Sequence, residues 1–565
     1  MRQSSRPLLA LRNGSPALIT VLVLAMAVTC ALLLALPSQT VTTKYVSDLF
    51  ISLDGAHRVV SGQAPSRDFH TPLGPLAYYL PAIGYWMSGS LGGAMPTGMA
   101  LLLLALAPAM AYIVSSRFRP AIALPFAAFL ILILAVPINL GDGVTALSFA
   151  KFYNRIGWAA LAALLVMYLR PEHPRPRQDW WDALSAALLT LVMITTKITY
   201  GLVALSFLVF LLLDPRQRRW VGLAMAVILT IGLLAEAIWR GSMPHLSDLL
   251  LTARVSGGLR GTWGQIIDHV LGNFADYVLL SLFAGLALWR TRSLRDVLFY
   301  AFCAVTGFLV INQNFQAWGI ITIHAAAAVA AETILRSSDE APEPIGRSWS
   351  VTAGAKLLFL ALVLPTIVHC TIALGLHAAV ASMRFGDAVA LAPLDRIRLV
   401  NLWTWSDHEV ATKYLSAVQD GAAALSSLDP RPSRICVLDV ANPFSASLGV
   451  EPPRGDSSWL LLGRTISATN FVPPDRLLAD VQVVMQPKTL EDPAGAKESK
   501  EVGGETLQIL YGPYIAAHFE PVRETEHWII HLKRQPGPRT TCITECKGAP
   551  ISAQEKNAAL EAGKP

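Results

Sequence analysis

The sequence predicts a polytopic α-helical membrane protein of about eleven transmembrane helices, N-terminus in and C-terminus out, followed by a C-terminal extracytoplasmic α/β domain. Hydrophobic residues make up 53% of the 565 and charged residues 15%, against about 25% charged in a soluble domain. The apolar residues are gathered into runs free of Asp, Glu, Lys and Arg: Pro16 to Thr43, Thr97 to Ser116, Pro120 to Gly141, Val297 to Ala331 and Leu357 to Met383. From Arg384 onward the composition turns to that of a globular domain.

A charge-free run of about 18 residues can cross about 30 Å of hydrocarbon as a helix. Helices are the expected spanning form, because lipid satisfies no loose backbone groups. The first run follows Arg2, Arg6 and Arg12 but is too long for a signal peptide, so it reads as an uncleaved first helix. Shorter apolar stretches at Ile156–Leu169, Ala183–Thr196, Ile198–Leu213, Trp220–Ala235 and Tyr277–Trp289 supply further helices. The run Val297–Ala331 is interrupted by Asn312, Gln313, Asn314 and Gln316, which predicts a hairpin. Ile156–Leu169 and Ala183–Thr196 reach only about 21 Å, so either their polar flanks snorkel or the helices surround a thinned, water-accessible cavity.

Arginine clusters orient the bundle. Arg117/Arg119, Arg170/Arg175/Arg177, Arg216/Arg218/Arg219, Arg290/Arg292/Arg295 and Arg336/Arg347 fall on one side when the helices alternate, and that side is expected to be cytoplasmic. The same loop arginines account for the net charge of +6 and the pI near 9.0, so nucleic acid is not an expected partner. The expected domains are a bundle over residues 1–383, with a large first outer loop at 39–96, a soluble domain at 384–535 and a disordered tail at 536–565. Within the soluble domain, Asp407–Leu428 has helical spacing. Arg434–Val440, Val481–Met485 and Trp528–Leu532 read as strands. Lys488–Glu505 reads as a flexible polar insertion. Of the six cysteines, Cys30, Cys303 and Cys370 read as packing residues. Cys436, Cys542 and Cys546 face the outside, with Cys542 and Cys546 close enough in sequence to pair. No nucleotide-binding or zinc-protease motif is present, and no metal site is expected.

The chemistry is expected in the first outer loop, around Ser47-Asp48, Asp54-Gly-Ala-His57-Arg58, Gly62-Gln-Ala-Pro65, Arg67-Asp68-Phe69-His70, Thr71-Pro72-Leu-Gly-Pro75 and Leu76-Ala-Tyr78-Tyr79-Leu80. This order, an Asp, a short amphipathic helix, Gly-x-x-Pro, Arg-Asp-Phe and a Pro-rich turn into Leu-x-Tyr-Tyr-Leu, resembles the first periplasmic loop of GT-C glycosyltransferases. The likeness is to bacterial relatives of the protein mannosyltransferases, the lipid A aminoarabinose transferases and the rhizobial galacturonosyltransferase-like proteins. The resemblance covers about 40 residues. It implies a polyprenyl-phosphate-linked sugar donor, a lipid, glycan or protein acceptor in the cell envelope, and a multi-pass location in a bacterial inner membrane with the C-terminal domain in the periplasm. It also implies a loop aspartate acting on the acceptor, which Asp54 matches, and a second acidic position, which Asp68 matches. The lysine of the aminoarabinose transferases' Lys-Pro-Pro-like turn is replaced by His70-Thr-Pro72.

The residues make chemical sense beside the resemblance. A carboxylate can take the proton of an attacking hydroxyl, and cations neutralise a departing phosphate. Lys197, Arg155, Arg58 and His70 are the candidate cations. Lys197 interrupts a long apolar stretch, where a charge costs about 2.5–3.5 kcal/mol at mid-bilayer; the outer turn of a helical hairpin lowers that cost. Tyr78, Tyr79, Tyr85 and Trp86 read as an interfacial aromatic belt. No cofactor is called for, and a divalent cation is left open. A rival reading, a transporter or flippase for an envelope lipid or lipid-linked sugar, accounts for the helices and Lys197 but not for the charged, Pro-rich loop or the outer α/β domain.

Overall fold

The computed structural model describes residues 15–172, 175–256, 263–314, 320–340, 351–488 and 499–534. The chain begins with α1 (Pro16–Ala35), β1 (Thr40–Thr42), α2 (Val46–Val60), α3 (Leu76–Ser88), α4 (Leu91–Arg117), α5 (Pro120–Ala135) and α6 (Phe152–Leu165). It continues through α7 (Gln178–Thr196), α8 (Ile198–Leu211), α9 (Arg218–Trp239), α10 (Ser242–Ser256), α11 (Trp263–Gly272), α12 (Phe274–Thr291), α13 (Leu294–Asn314), α14 (Ile321–Glu340) and α15 (Val351–Ser382). Each apolar segment predicted above contains a helix among its described residues. Among the described residues, six helices (α1, α4, α9, α12, α13 and α15) are long and apolar enough to cross a membrane. Two more, α5 and α8, are apolar but shorter. The chain is an integral membrane protein. The expected hairpin is present as α13 and α14, its connection lying outside the described residues. Within α14, Ala325 to Ala331 are wholly buried, and such small side chains let neighbouring helices approach closely.

The predicted arginine clusters meet at one end of the bundle. Arg117 pairs with Asp182 at 2.7 Å. Arg170 and Arg295 share Asp214 at 2.8 and 2.7 Å, and Arg119 and Arg336 share the buried Glu332. Arg347 lies outside the described residues.

Beyond the bundle come β2 (Asp387–Ala388), β3 (Ile397–Leu399), α16 (Trp405–Ser426), β4 (Ile435–Val437), α17 (Phe444–Leu448), α18 (Pro474–Leu477), β5 (Val483–Pro487), α19 (Ser499–His518), β6 (Phe519–Glu524) and β7 (Trp528–Lys533). The larger sheet has the order β4-β5-β7-β6, with β4 and β5 parallel and the other pairs antiparallel. Alternation along the strands sends Ile435, Val437, Val483, Met485 and Ile530 into one core with Val418 and Leu425 of α16. Cys436 and Val484 go to the other face, with Tyr511 and Ile515 of α19. Cys436 is a packing residue there; Cys542 and Cys546 lie outside the described residues. The predicted helix and strands recur within a few residues. Of the predicted flexible insertion Lys488–Glu505, residues 489–498 lie outside the described ones; from Ser499 the chain is helical, and Leu507, Tyr511 and Ile515 of α19 pack on the sheet.

A second, three-stranded sheet has the order β1-β3-β2. Thr40 to Thr42, just past the first membrane helix, pair in parallel with Ile397 to Leu399. The first loop and the C-terminal region therefore share backbone hydrogen bonds.

Candidate active site

Helix α2 starts after Tyr45 and α6 after Lys151, both in the left-handed region (φ 57° and 54°). That conformation is uncommon outside Gly, Asn and Asp. Hydrogen bonds hold the two starts together: Thr43 N donates to Leu147 O at 2.9 Å, and the Thr43 hydroxyl donates to Thr145 O at 2.8 Å. The Lys151 ammonium consequently lies over the Tyr45 ring, 4.7 Å from its centre. Asp48, half-buried in the first turn of α2, is where a helix dipole favours a carboxylate.

Lys197 forms a one-residue elbow between α7 and α8, with extended backbone (φ −157°, ψ 117°). It lies at the end of α7 away from the arginines. The first-loop turn braces this elbow, Gly74 N donating to Thr196 O at 3.1 Å. The half-buried Lys197 ammonium donates to Asn154 Oδ1 at 3.3 Å and lies 5.2 Å from the Tyr153 ring centre. Arg464 comes from the C-terminal region; it interacts electrostatically with Tyr153 and Asp48, and burial lowers its pKa. Lys44 reaches Asp407 at 3.7 Å and Asp142 at 4.0 Å. Three carboxylates (Asp48, Asp142 and Asp407), two tyrosines and several cations thus gather where α2, α6, the elbow and the C-terminal region meet.

Most of the site residues expected from the sequence lie elsewhere. Asp54 is wholly buried: its Oδ2 accepts from Arg58 Nε at 2.6 Å. Arg58, also wholly buried, donates to both oxygens of Asp456 at 2.6 and 2.8 Å and to Pro453 O at 3.0 Å. Burial pushes the Asp54 and Asp456 carboxyls up, against the opposing pull of Arg58. Arg58 is therefore engaged within the protein, while the other Asp54 oxygen, Oδ1, is buried without a hydrogen-bond partner among the described residues. Asp68 accepts from Ala64 N and from Arg454 Nη1, both at 2.7 Å. Its pKa is lowered, burial opposing but the Ala64 amide and Arg67 prevailing. His70 bonds Asp248 Oδ1 through Nδ1 at 2.7 Å. Arg155 is 1% exposed and points into the bundle, donating to Ile138 O at 2.7 Å. Tyr78, expected in the aromatic belt, is buried between the hydroxyls of Thr71 (2.6 Å) and Ser458 (3.0 Å); Trp86 remains exposed.

These contacts strap the segment Val450–Ser458 along α2 and its following loop. Gln63 Nε2 donates to Pro452 O at 2.8 Å, His57 Nε2 meets Val450 O at 2.8 Å, and His70 N donates to Asp456 O at 2.7 Å.

Of the expected residues, Lys197 alone stands in the gathered site; Asp48, Arg464 and Lys44 were not singled out. Asp48 and Asp54 are six positions apart, about 240° around a helix, so the helical period already sets them on different faces. Arg464 carries no comparable sequence signal. Among the described residues, no group of three or more His, Cys, Asp or Glu side chains could hold a metal ion.

No family model and no curated protein matches the chain. Among solved structures it is similar to ArnT from Cupriavidus metallidurans in the apo state, at 13% identity and a TM-score of 0.43, over 90% of this chain and 97% of that one.

Proposed function

We propose that the protein is an inverting membrane glycosyltransferase that moves a sugar from a polyprenyl-phosphate-linked donor to a cell-envelope acceptor on the periplasmic face. The observation that carries this reading is the half-buried Asp48 facing Arg464 and Tyr153, beside Lys197 at the helix elbow. In the proposed step an acceptor hydroxyl oxygen bonds to the anomeric carbon as the bond from that carbon to the phosphate oxygen breaks. The electron pair leaves with the phosphate, whose charge Lys197 and Arg464 offset. The hydroxyl proton passes to Asp48. Asp54 and Asp68, the carboxylates singled out by the motif, act as positioning residues that hold the loop in shape. The charged, Pro-rich first loop, its resemblance to the GT-C loop and the half-open carboxylate support a transferase over a flippase.

The test is transfer of radiolabelled sugar from a panel of polyprenyl-phosphate donors by purified protein in its own membrane lipids. Wild type should transfer label. Asp48→Asn should lose at least a hundredfold in rate, as expected for a removed general base. Asp54→Asn should be less stable yet retain transfer per folded molecule. Loss of transfer in folded Asp54→Asn with retention in Asp48→Asn would reverse the assignment. No transfer by folded wild type with any donor would end the transferase reading.

A further inference from the structure

Tyr414 lies on α16, in the C-terminal region, and packs on α2 through Phe50, with ring centres 5.8 Å apart. Its hydroxyl oxygen is buried and has no hydrogen-bond partner among the described residues. Two carboxylates act on it electrostatically: Asp439, which follows β4, and Asp48 of the proposed site. A buried hydroxyl left unmatched is destabilising, so one retained beside a reactive carboxylate calls for a ligand. Burial first, then the two carboxylates, holds this phenol well above its ordinary range. It stays protonated and offers a donor.

The charges also sort the site. Lys197 and Arg464 provide places for an anion, whereas Tyr414 is within electrostatic reach of two carboxylates that repel one. We infer that Tyr414, backed by Asp439, is an acceptor-binding residue supplied by the C-terminal region, donating to a hydroxyl of a polyhydroxylated acceptor while Asp48 takes the proton of the reacting one. This inference rests on the glycosyltransferase reading. It makes the C-terminal region a chooser of acceptor and leaves the donor to the bundle.

The experiment compares wild type with Tyr414→Phe in the full chain, using a polyprenyl-phosphate-linked sugar as donor and a serial dilution of a membrane glycolipid extract as acceptor. Tyr414→Phe keeps the ring on Phe50 and removes a buried hydroxyl with no partner among the described residues, so its melting temperature should equal or exceed that of wild type. Half-saturation by the acceptor extract should rise about three- to tenfold, the worth of one hydrogen bond, while donor KM and donor hydrolysis without acceptor stay unchanged. Asp439→Asn should move acceptor half-saturation in the same direction. An unchanged acceptor half-saturation in Tyr414→Phe, a parallel rise in donor KM, or a lowered melting temperature would overturn the inference while leaving the transferase reading intact. Absence of transfer by wild type would remove both.

Discussion

Asp48, Asp54 and Asp68 are three aspartates within the first outer region, and each has different surroundings. Asp48 is half-buried, facing cations and phenols; Asp54 is sealed against Arg58; Asp68 is clamped by Arg67 and Arg454. Because the Asp68 pKa is lowered in the folded protein, its ionised form favours folding above the ordinary aspartate range, about 3.9. That contribution is lost as pH falls through the lower folded value. Asp54 and Asp456 are shifted upward and act in the opposite sense, so the comparison must be between two proteins rather than along one curve. The melting temperature of wild type should exceed that of Asp68→Asn by a constant margin from pH 7 to about 5. The margin should shrink toward zero in stronger acid, as read by scanning fluorimetry in detergent. A margin that is absent at pH 7, or independent of pH, would show that the clamp contributes no ionic stabilisation.

At the scale of elements, the proposed site depends on how closely α7 and α8 fold back at Lys197. A Cβ on Gly201 would stand 2.6 Å from Ile194 Cγ1 and 2.8 Å from Ile194 Cα; the glycine is what lets the two helices meet. Gly74 plays the same part for the first-loop turn, where a Cβ would stand 2.2 Å from Thr195 O. Overpacking of this kind costs about 1–3 kcal/mol. Gly201→Ala should lower thermal stability by that amount and raise donor KM, because it displaces the elbow that aims Lys197. Unchanged melting and kinetics would mean the helices can part there without consequence. The same elbow explains how a lysine is tolerated in an apolar stretch: the break frees its side chain toward Asn154 and Tyr153 rather than toward lipid.

For the whole molecule, the Arg58–Asp456 pair joins parts of the chain nearly 400 residues apart. β1 pairs with β3, and Val450–Ser458 lies along α2, so the C-terminal region is fastened to the first loop rather than tethered by α15 alone. The buried trio Asp54–Arg58–Asp456 is the centre of that fastening. Removing one partner of a buried ion pair leaves a charge with fewer partners and costs about 3–5 kcal/mol. Asp456→Ala should therefore destabilise the protein by that amount and speed tryptic cleavage at Arg454, which Asp68 and the strap otherwise hold. Cleavage at the wild-type rate would show that the fastening does not depend on Arg58.

Local sequence features suffice for the membrane class, the apolar helices, the gathering of arginines at one end and the alternation of the C-terminal strands. Each follows from hydrophobic content or from a period of 2.0 or 3.6 residues, which are local properties. The sequence also marked the first loop as the chemically rich segment and drew attention to Lys197. It did not distinguish Asp54 from Asp48, although the helical period separates them, because the motif drew attention to Asp54. Only the tertiary structure decided which charges face each other. Arg58 is consumed by Asp456, and Arg464 and Tyr414 come to Asp48 from across the chain. Burial and ion pairing between distant segments depend on how helices and sheet dock, and no local period encodes that.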